Sequence, residues 1–325
     1  MLAARVLMEQ GIEAVGLSFK SNFFGTVKAK KVAEQLGIKL IEVDFSDEHL
    51  TMVKNPAHGY GKNMNPCIDC HSLMLKRAKE IMEKEKFDFV ATGEVLGQRP
   101  MSQHRDALKI VEKISGLEGK LVRPMSAKLL DESEPEKQKK IIRGKLLDIS
   151  GRSRKRQLEL VKKYSIKEYA SPGGGCLLTD PEFSEKLLKL LEYWPDCDGN
   201  DIELLKWGRI NWLKGKKDKN VLLIVGRDEK DNESLEKLAR AGDVIIQPAE
   251  ENGPTSVARI KNYELKITNE IREIKVPEEI KMSELKFGEK KSEEEIVELA
   301  VMLTGYYAAK LRGKKIKFNI INKLT

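Results

Sequence analysis

The chain has 325 residues, about twice a typical domain length, so two domains are expected. Hydrophobic residues make up 40% and charged residues 34%, a composition that excludes a disordered chain, a collagen-like chain and a disulfide scaffold. The excess of eight positive charges permits a polyanionic partner without requiring one. The N-terminus carries Arg5, Glu9 and Glu13, and no uncharged apolar stretch approaches about 18 residues, so we expect no membrane span, no secretory signal and a cytoplasmic protein.

The N-terminal half alternates predicted helices with predicted strands. Apolar spacing and glycine stops predict helices at 2–10, 26–36 and 71–85, and apolar runs predict strands at 12–19, 39–43 and 87–92. This order predicts an α/β fold with a Rossmann-like parallel sheet that the chain enters after its first strand. Ligands of such sheets bind beyond the carboxyl ends of the strands, where Phe19, Gly93 and the loop before Cys67 would lie.

The segment 131–163 is predicted to be helical and strongly charged. It contains the basic run Arg152, Arg154, Lys155 and Arg156. Such a run can contact phosphates, or it can simply be the solvated face of a helix.

A charged stretch at 214–220 precedes the predicted strand 221–225, and this stretch indicates a domain boundary. The remainder alternates strands such as 244–247 with helices such as 292–311, which predicts a second, smaller α/β domain. We therefore expect three parts: an N-terminal domain at 1–168, a connecting segment at 169–216 that contains Cys176 and a C-terminal domain at 217–325.

The four cysteines are the most informative residues for chemistry. Cys67 and Cys70 are separated by two residues ahead of a predicted helix, and Cys176 follows three glycines at 173–175. In a reducing compartment such cysteines are metal ligands or reactive thiols rather than disulfides. Three cysteines can hold a [4Fe-4S] cluster in which one iron remains open to another ligand, whereas electron-transfer clusters normally use four.

Other interpretations of the cysteines remain open at this stage. Zinc could be held by the three thiols with His71, or the thiols could form a cluster-free redox pair, including a catalytic disulfide between Cys70 and Cys176. Cys197 could serve as a fourth ligand, although a structural role is expected for it. The Cys-x-x-Cys-His pattern also fits c-type haem attachment. That attachment requires an exported chain, and the sequence shows no export signal.

Two segments resemble tRNA thiolation enzymes. Thr-Gly-Glu-Val-Leu-Gly-Gln at 92–98, with Ser102-Gln103 and Val-Arg-Pro at 122–124, resembles the signature of tRNA 4-thiouridine synthetases, which are PP-loop ATP pyrophosphatases of the adenine nucleotide hydrolase type. Asn-Pro-Cys-Ile-Asp-Cys at 65–70 is similar to the Asn-Pro-Asp-x-x-Cys segment of tRNA 2-thiouridylases. Beyond residue 217 the chain resembles RNA-binding domains of the NFACT type, most clearly in Gly-Pro-Thr-Ser at 253–256.

The resemblance implies a tRNA uridine thiolation activity, with a nucleotide-binding and thiolation domain at 1–168 and an RNA-binding domain at 217–325. ATP with Mg would adenylate a uridine carbonyl oxygen, and sulfur from sulfide or a sulfur-donor protein would then attack the activated carbon. Members with three cysteines carry an oxygen-sensitive [4Fe-4S] cluster, which assigns catalysis and metal binding to Cys67, Cys70 and Cys176. The same resemblance assigns nucleotide contacts to a further set of residues: Ser18, Phe19, His71, Gly93 and Gln103.

One departure from the family is plain. The Ser-Gly-Gly-x-Asp-Ser loop that cradles the ATP pyrophosphate should lie just before the helix that begins at Leu2, and it is absent. We therefore expect Met1 to be an internal methionine of a longer natural chain, and the sequence as given to bind ATP poorly. Two rival functions follow: a cluster enzyme that removes sulfur from thiolated nucleobases without ATP, and a non-enzymatic RNA-binding protein with a structural zinc. The target uridine position and the oligomeric state are left open.

Overall fold

The computed structural model describes residues 1–167, 169, 175–216, 220–261, 268–281, 285 and 289–323. The chain divides into two compact units, Met1–Ser184 and Glu185–Thr325. The predicted domain limits at 168 and 217 fall on residues outside the described ranges, so that division stays a prediction. The α/β class is confirmed in both units, with small parallel sheets in the first and a larger antiparallel sheet in the second.

The N-terminal unit contains two separate parallel strand pairs. Strand β1 (Gly16–Lys20) pairs with β2 (Leu40–Asp44), and β3 (Val90–Ala91) pairs with β4 (Leu121–Val122). The parallel direction agrees with the predicted alternation, but the described strands do not join into one Rossmann-like sheet. Strand β1 starts later than predicted because the N–H of Ile12 bonds back to the Leu7 carbonyl, which makes it part of the preceding helix end.

In the described part of this unit, seven α-helices precede the unit boundary. They are α1 (Leu2–Met8), α2 (Val27–Leu36), α3 (Ser46–Lys54), α4 (Cys67–Lys84), α5 (Arg105–Ser115), α6 (Glu134–Lys137) and α7 (Lys155–Lys163). Leu75 of α4 and Val111 of α5 pack with Leu121 of β4, and Leu17 of β1 joins the edge of this cluster. Burying such side chains stabilises the fold by about 1.5–3 kcal/mol each. The carboxyl ends of the strands are thereby held close to the N-terminus of α4.

The prediction of a mostly helical segment at 131–163 is wrong. Only the short α6 and the later α7 are α-helical there, with a 3-10 turn at Arg143–Lys145 between them. Lys139 has a left-handed φ of 59°, which ends α6 within a few residues. Ile141 and Leu146 are buried against α1 instead of following a helical stripe. Tertiary burial thus outweighs the helical propensity of this charged sequence.

The C-terminal unit is built on a six-stranded antiparallel sheet in the order β5-β6-β8-β7-β10-β9. The strands are β5 (Arg209–Lys214), β6 (Asn220–Val225), β7 (Val244–Pro248), β8 (Ser256–Ile260), β9 (Glu270–Lys275) and β10 (Lys315–Asn322). The remaining α-helices are α8 (Pro181–Tyr193), which contains the unit boundary, α9 (Gly199–Leu204), α10 (Glu229–Leu238) and α11 (Glu293–Tyr306).

One face of this sheet is covered by α11, whose Val297, Ala300 and Val301 belong to the main hydrophobic cluster. The predicted strands 221–225 and 244–247 are found, and the predicted helix 292–311 ends at Tyr306 with a separate 3-10 turn at Ala309–Leu311. Of the helices in the described residues, none combines the length and the hydropathy that a membrane span requires.

Candidate functional site: buried thiols at the start of a helix

The Cys-x-x-Cys motif forms the first turn of α4, which begins at Cys67 after Pro66. Asp69 lies in the same turn and is buried, and the His58 backbone N–H donates to its Oδ2 at 2.9 Å. The His58 ring reaches the other carboxylate oxygen, with 2.7 Å between Nδ1 and Oδ1. The loop before α4 is therefore tied to the helix start, which fixes the direction of both cysteines.

Cys70 contacts a histidine that the sequence analysis did not select. His49 of α3 is 0% exposed, and its Nε2 lies 3.2 Å from Cys70 Sγ. Burial lowers the pKa of His49 to about 4, so the imidazole is neutral near pH 7. Burial also raises the pKa of Cys70 far above its usual range, and the neighbouring Cys176 and Cys67 raise it further. The pair therefore exists as a neutral thiol and a neutral imidazole.

Cys176 belongs to the same site. The N–H of Leu177 donates to the Phe23 carbonyl at 3.0 Å, and the Phe23 ring lies 5.5 Å from the His49 ring. Burial raises the pKa of Cys176 to about 11, and the charge of a Cys67 thiolate would raise it too. The structure thus brings the three predicted cysteines within electrostatic range of one another. Gly173 and Gly174, which were predicted to shape this approach, lie outside the described residues.

The third thiol, Cys67, is the least constrained. It donates to Asn65 Oδ1 at 3.0 Å, and Ser102 lies beside it. Burial raises the pKa of Cys67, whereas the bond to Asn65 and the positive charge of Arg99 lower it in part. Arg99 acts in the same direction on Cys176, so one cation faces two of the thiols.

Several buried polar atoms around the thiols have no hydrogen-bond partner among the described residues. They are His49 Nδ1, Ser102 Oγ and Gln103 Oε1. An unsatisfied buried polar atom costs about 1–3 kcal/mol, so it is rarely retained without a reason. With the buried Cys70 and the half-buried Cys67 and Cys176, these atoms are polar groups that a ligand could bind.

The donor types fit an iron–sulfur cluster, because thiolate sulfur is its usual protein ligand. In the described part of the chain, no set of three or more His, Cys, Asp or Glu side chains is arranged to bind a single metal ion. Cluster cysteines bind separate irons, so a cluster needs thiols around a shared space rather than around a single point. The charges of Cys67, Cys70 and Cys176 influence one another's pKa, so the three thiols lie near one another, and a cluster on them stays a prediction.

The residues expected to contact a nucleotide lie at strand ends and near α4. Ser18 stands opposite Glu42 in the β1–β2 pair, and the Phe19 ring packs against the Phe45 ring with 5.2 Å between centroids. Gly93 follows β3 and does not have a positive φ, and a Cβ atom there would meet nothing within 4 Å. Gln103 is buried. Their nucleotide role stays a prediction.

His71 is part of a buried ionic network that the sequence analysis did not anticipate. Its Nδ1 lies 3.0 Å from Glu94 Oε1, and Arg123 Nε donates to Glu94 Oε2 at 3.0 Å. Burial disfavours the Glu94 carboxylate, but the bonds and charges of His71 and Arg123 prevail and lower its pKa to about 2. The network leaves His71 Nε2 as the free ring nitrogen.

Glu94 could have been selected from its place in the Thr-Gly-Glu motif, whereas His49 carries no motif signal.

The basic run of the sequence surrounds the start of α7. Arg156 pairs with Asp148 at 2.7 Å, whereas Arg152 and Lys155 have no ion pair within the described ranges. Cys197 is 2% exposed and belongs to the C-terminal unit.

Comparison with known proteins gives one family match. A family model described as thiamine biosynthesis protein (ThiI) matches residues 1–132, and neither a curated protein nor a solved structure matches the chain. The matched range contains α4 with Cys67 and Cys70 and the 92–98 motif, and it ends before Cys176. This match supports, in general terms, the resemblance of the chain to a tRNA thiolation enzyme.

Proposed function

We propose that this chain is a tRNA sulfurtransferase that replaces a uridine carbonyl oxygen with sulfur. The observation that carries the proposal is that Cys176, distant in sequence from Cys67 and Cys70, lies near enough for the thiol charges to raise one another's pKa, while the Leu177 N–H beside it binds the Phe23 carbonyl next to His49. Thiols without a joint role need not lie together. The family match over residues 1–132 gives independent support from the same unit.

The reaction would proceed in two steps. The uridine oxygen attacks the α-phosphorus of ATP, which is bound with Mg, and pyrophosphate leaves. Sulfide then attacks the activated carbon, and AMP departs with the original oxygen. A [4Fe-4S] cluster held by Cys67, Cys70 and Cys176 would supply an open iron site for hydrosulfide.

The nucleotide part of the proposal draws on Gly93. Neither the backbone conformation nor neighbouring atoms require glycine at this position, since φ is not positive and a Cβ atom would meet open space. A glycine that the fold does not need is explained if a ligand approaches the backbone. Ser18, Phe19, His71 and Gln103 would complete the contacts, with the free Nε2 of His71 as a polar group for the nucleotide.

The deciding experiment combines metal analysis with nucleoside analysis. We expect the anaerobically reconstituted protein to bind about four irons with acid-labile sulfide. The thiolation assay uses the upstream-extended chain that the sequence analysis expects, which should form thiouridine in tRNA when ATP and sulfide are supplied. Cys70→Ala and Cys176→Ala should lose both properties, whereas Cys197→Ala should keep them. One zinc without iron would refute the cluster, and sulfide release from thiouridine without ATP would favour the desulfurising alternative.

The tRNA partner is tested separately at the start of α7. The double variant Arg152→Glu and Lys155→Glu should weaken tRNA binding severalfold and reduce its salt dependence, because phosphate contacts release counterions. Arg156→Glu is the matched control, since Arg156 already pairs with Asp148. Equal effects of the three charge reversals would mean that only net charge matters.

A further inference from the structure

His49 is held in one orientation by aromatic rings. It stacks on Phe45 with 4.8 Å between ring centroids and an interplanar angle of 21°. Phe23 and Phe24 approach it edge-on at 5.5 and 5.3 Å. Rings packed on three sides restrict the imidazole, so the fold supports the 3.2 Å approach of Nε2 to Cys70 Sγ.

The packing of this region does not require a histidine. Three phenylalanine rings would accommodate another apolar ring at least as well, and a buried imidazole costs free energy unless both nitrogens are bonded. Nδ1 has no partner in the described residues, so that cost is only half compensated. The remaining reason for a histidine is the bond that Nε2 makes to the sulfur.

We propose that His49 is a positioning residue for Cys70, donating a hydrogen bond from Nε2–H to Cys70 Sγ whenever that sulfur is a thiolate ligand. The inference rests on the proposed function in one respect, the presence of a cluster on Cys70. In the metal-free chain the same pair is bonded in the opposite direction, with the thiol S–H donating to Nε2. The neutral His49 ring carries its proton on Nε2 when Cys70 is a thiolate ligand, and on Nδ1 when Cys70 is a thiol.

This bond has two consequences. It holds the Cys70 side chain in the direction of the other thiols. It also withdraws charge from the ligand sulfur, and hydrogen bonds to ligand sulfurs are among the determinants of cluster reduction potential. Less charge on the sulfur stabilises the reduced cluster, so we expect the bond to raise the potential.

The test uses the full chain with three substitutions. His49→Phe fills the aromatic site without a donor, His49→Gln can place its amide nitrogen near the former Nε2, and His49→Asn is too short to do so. His104→Asn is the matched control, because His104 is an exposed N-cap residue of α5 that asparagine can replace. Circular dichroism establishes that each variant is folded.

The first readout is the reduction potential of the reconstituted cluster. We expect a more negative potential in His49→Phe and His49→Asn, recovery towards the wild-type value in His49→Gln and no change in His104→Asn. A potential in His49→Phe equal to that of the wild type would overturn the inference. Should His49→Phe fail to fold, His49→Asn decides in the same way.

The second readout needs no cluster. In metal-free protein, the S–H stretching band that disappears in Cys70→Ala belongs to Cys70, and hydrogen bonding lowers its frequency. We expect this infrared band to move to higher frequency in His49→Phe, and an unmoved band would overturn the pairing. A wild-type chain that takes up no iron contradicts the proposed function, whereas the infrared result still decides the His49–Cys70 contact.

Discussion

In the C-terminal unit, the guanidinium of Arg259 is 1% exposed and binds both carboxylate oxygens of Asp243, at 2.8 and 2.6 Å. It also donates to Asp201, which Arg240 and Lys261 bind as well. In the N-terminal unit, Cys70 and His49 are also buried, yet burial shifts the pKa of each towards its neutral form. The charges of the Arg259 cluster are compensated by the chain's own residues. The Cys70–His49 pair is uncharged instead, and His49 Nδ1 has no hydrogen-bond partner among the described residues.

This difference in hydrogen bonding distinguishes polar groups that are buried to stabilise the fold from polar groups that are buried to bind a ligand. A buried ion pair with all its bonds made is self-sufficient, and its natural role is to specify the packing of its elements. A buried thiol whose polar neighbours lack hydrogen-bond partners among the described residues is costly until something binds there. Substitutions should therefore have opposite effects in the two places, which can be measured.

The largest effect is expected at Arg259. Arg259→Met would leave Asp243 and Asp201 buried with fewer partners, and should lower the free energy of unfolding of the C-terminal unit by about 3–5 kcal/mol. All three tryptophans, Trp194, Trp207 and Trp212, belong to this unit, so fluorescence during urea unfolding reports on it selectively. Lys237→Met removes an exposed pair and should cost under about 1 kcal/mol. Similar losses in both variants would contradict the comparison.

The Glu94 network predicts a pH dependence in the N-terminal unit. The pKa of Glu94 is about 2 in the folded chain, below its usual 4.5, so its contribution is fully present above pH 4.5 and is lost as the pH falls towards 2. The difference corresponds to about 3 kcal/mol of unfolding free energy. About 2 kcal/mol of this should be lost between pH 6 and pH 3, and urea unfolding followed by circular dichroism at the two pH values measures the loss. Glu94→Gln should flatten this dependence, and an unchanged profile would show that other carboxylates cause it.

Two buried serines allow a matched comparison within the N-terminal unit. Ser126 Oγ donates to the Ile149 carbonyl at 2.6 Å and accepts from the Leu96 N–H, whereas Ser102 Oγ has only the Cys67 thiol beside it among the described residues. Ser126→Ala should cost about 1–3 kcal/mol, while Ser102→Ala should be neutral or slightly stabilising. Thermal unfolding of the two metal-free variants gives the answer, and a clear loss in Ser102→Ala would mean that this oxygen is satisfied.

The smallest effect on stability is expected at Gly93. Gly93→Ala should change the free energy of unfolding by less than about 0.5 kcal/mol, because the added Cβ meets open space. It should nevertheless weaken ATP binding, measured by calorimetry, if the nucleotide approaches this backbone. Gly116→Ala is the contrasting variant, since Gly116 has a φ of 64° and ends α5, and it should cost about 1 kcal/mol. Unchanged ATP affinity in Gly93→Ala would remove this residue from the proposed site.

The local signals in the sequence were reliable guides to local structure. The apolar spacing and Gly37 correctly indicated α2, which runs from Val27 to Leu36 and ends in a left-handed glycine. The Cys-x-x-Cys motif was expected just ahead of a helix and instead forms its first turn. Helix periodicity and capping depend on residues only a few positions apart, so they can be read without the fold.

The sequence by itself determined the α/β class, the positions of most elements and the choice of the three cysteines as the residues to follow. Only the tertiary structure decided that the N-terminal strands form two separate pairs, that most of 131–163 is not helical, and that His49 lies against Cys70. Each of these depends on contacts between residues distant in the chain. Such contacts are selected by burial and packing of the whole unit, which no local pattern encodes.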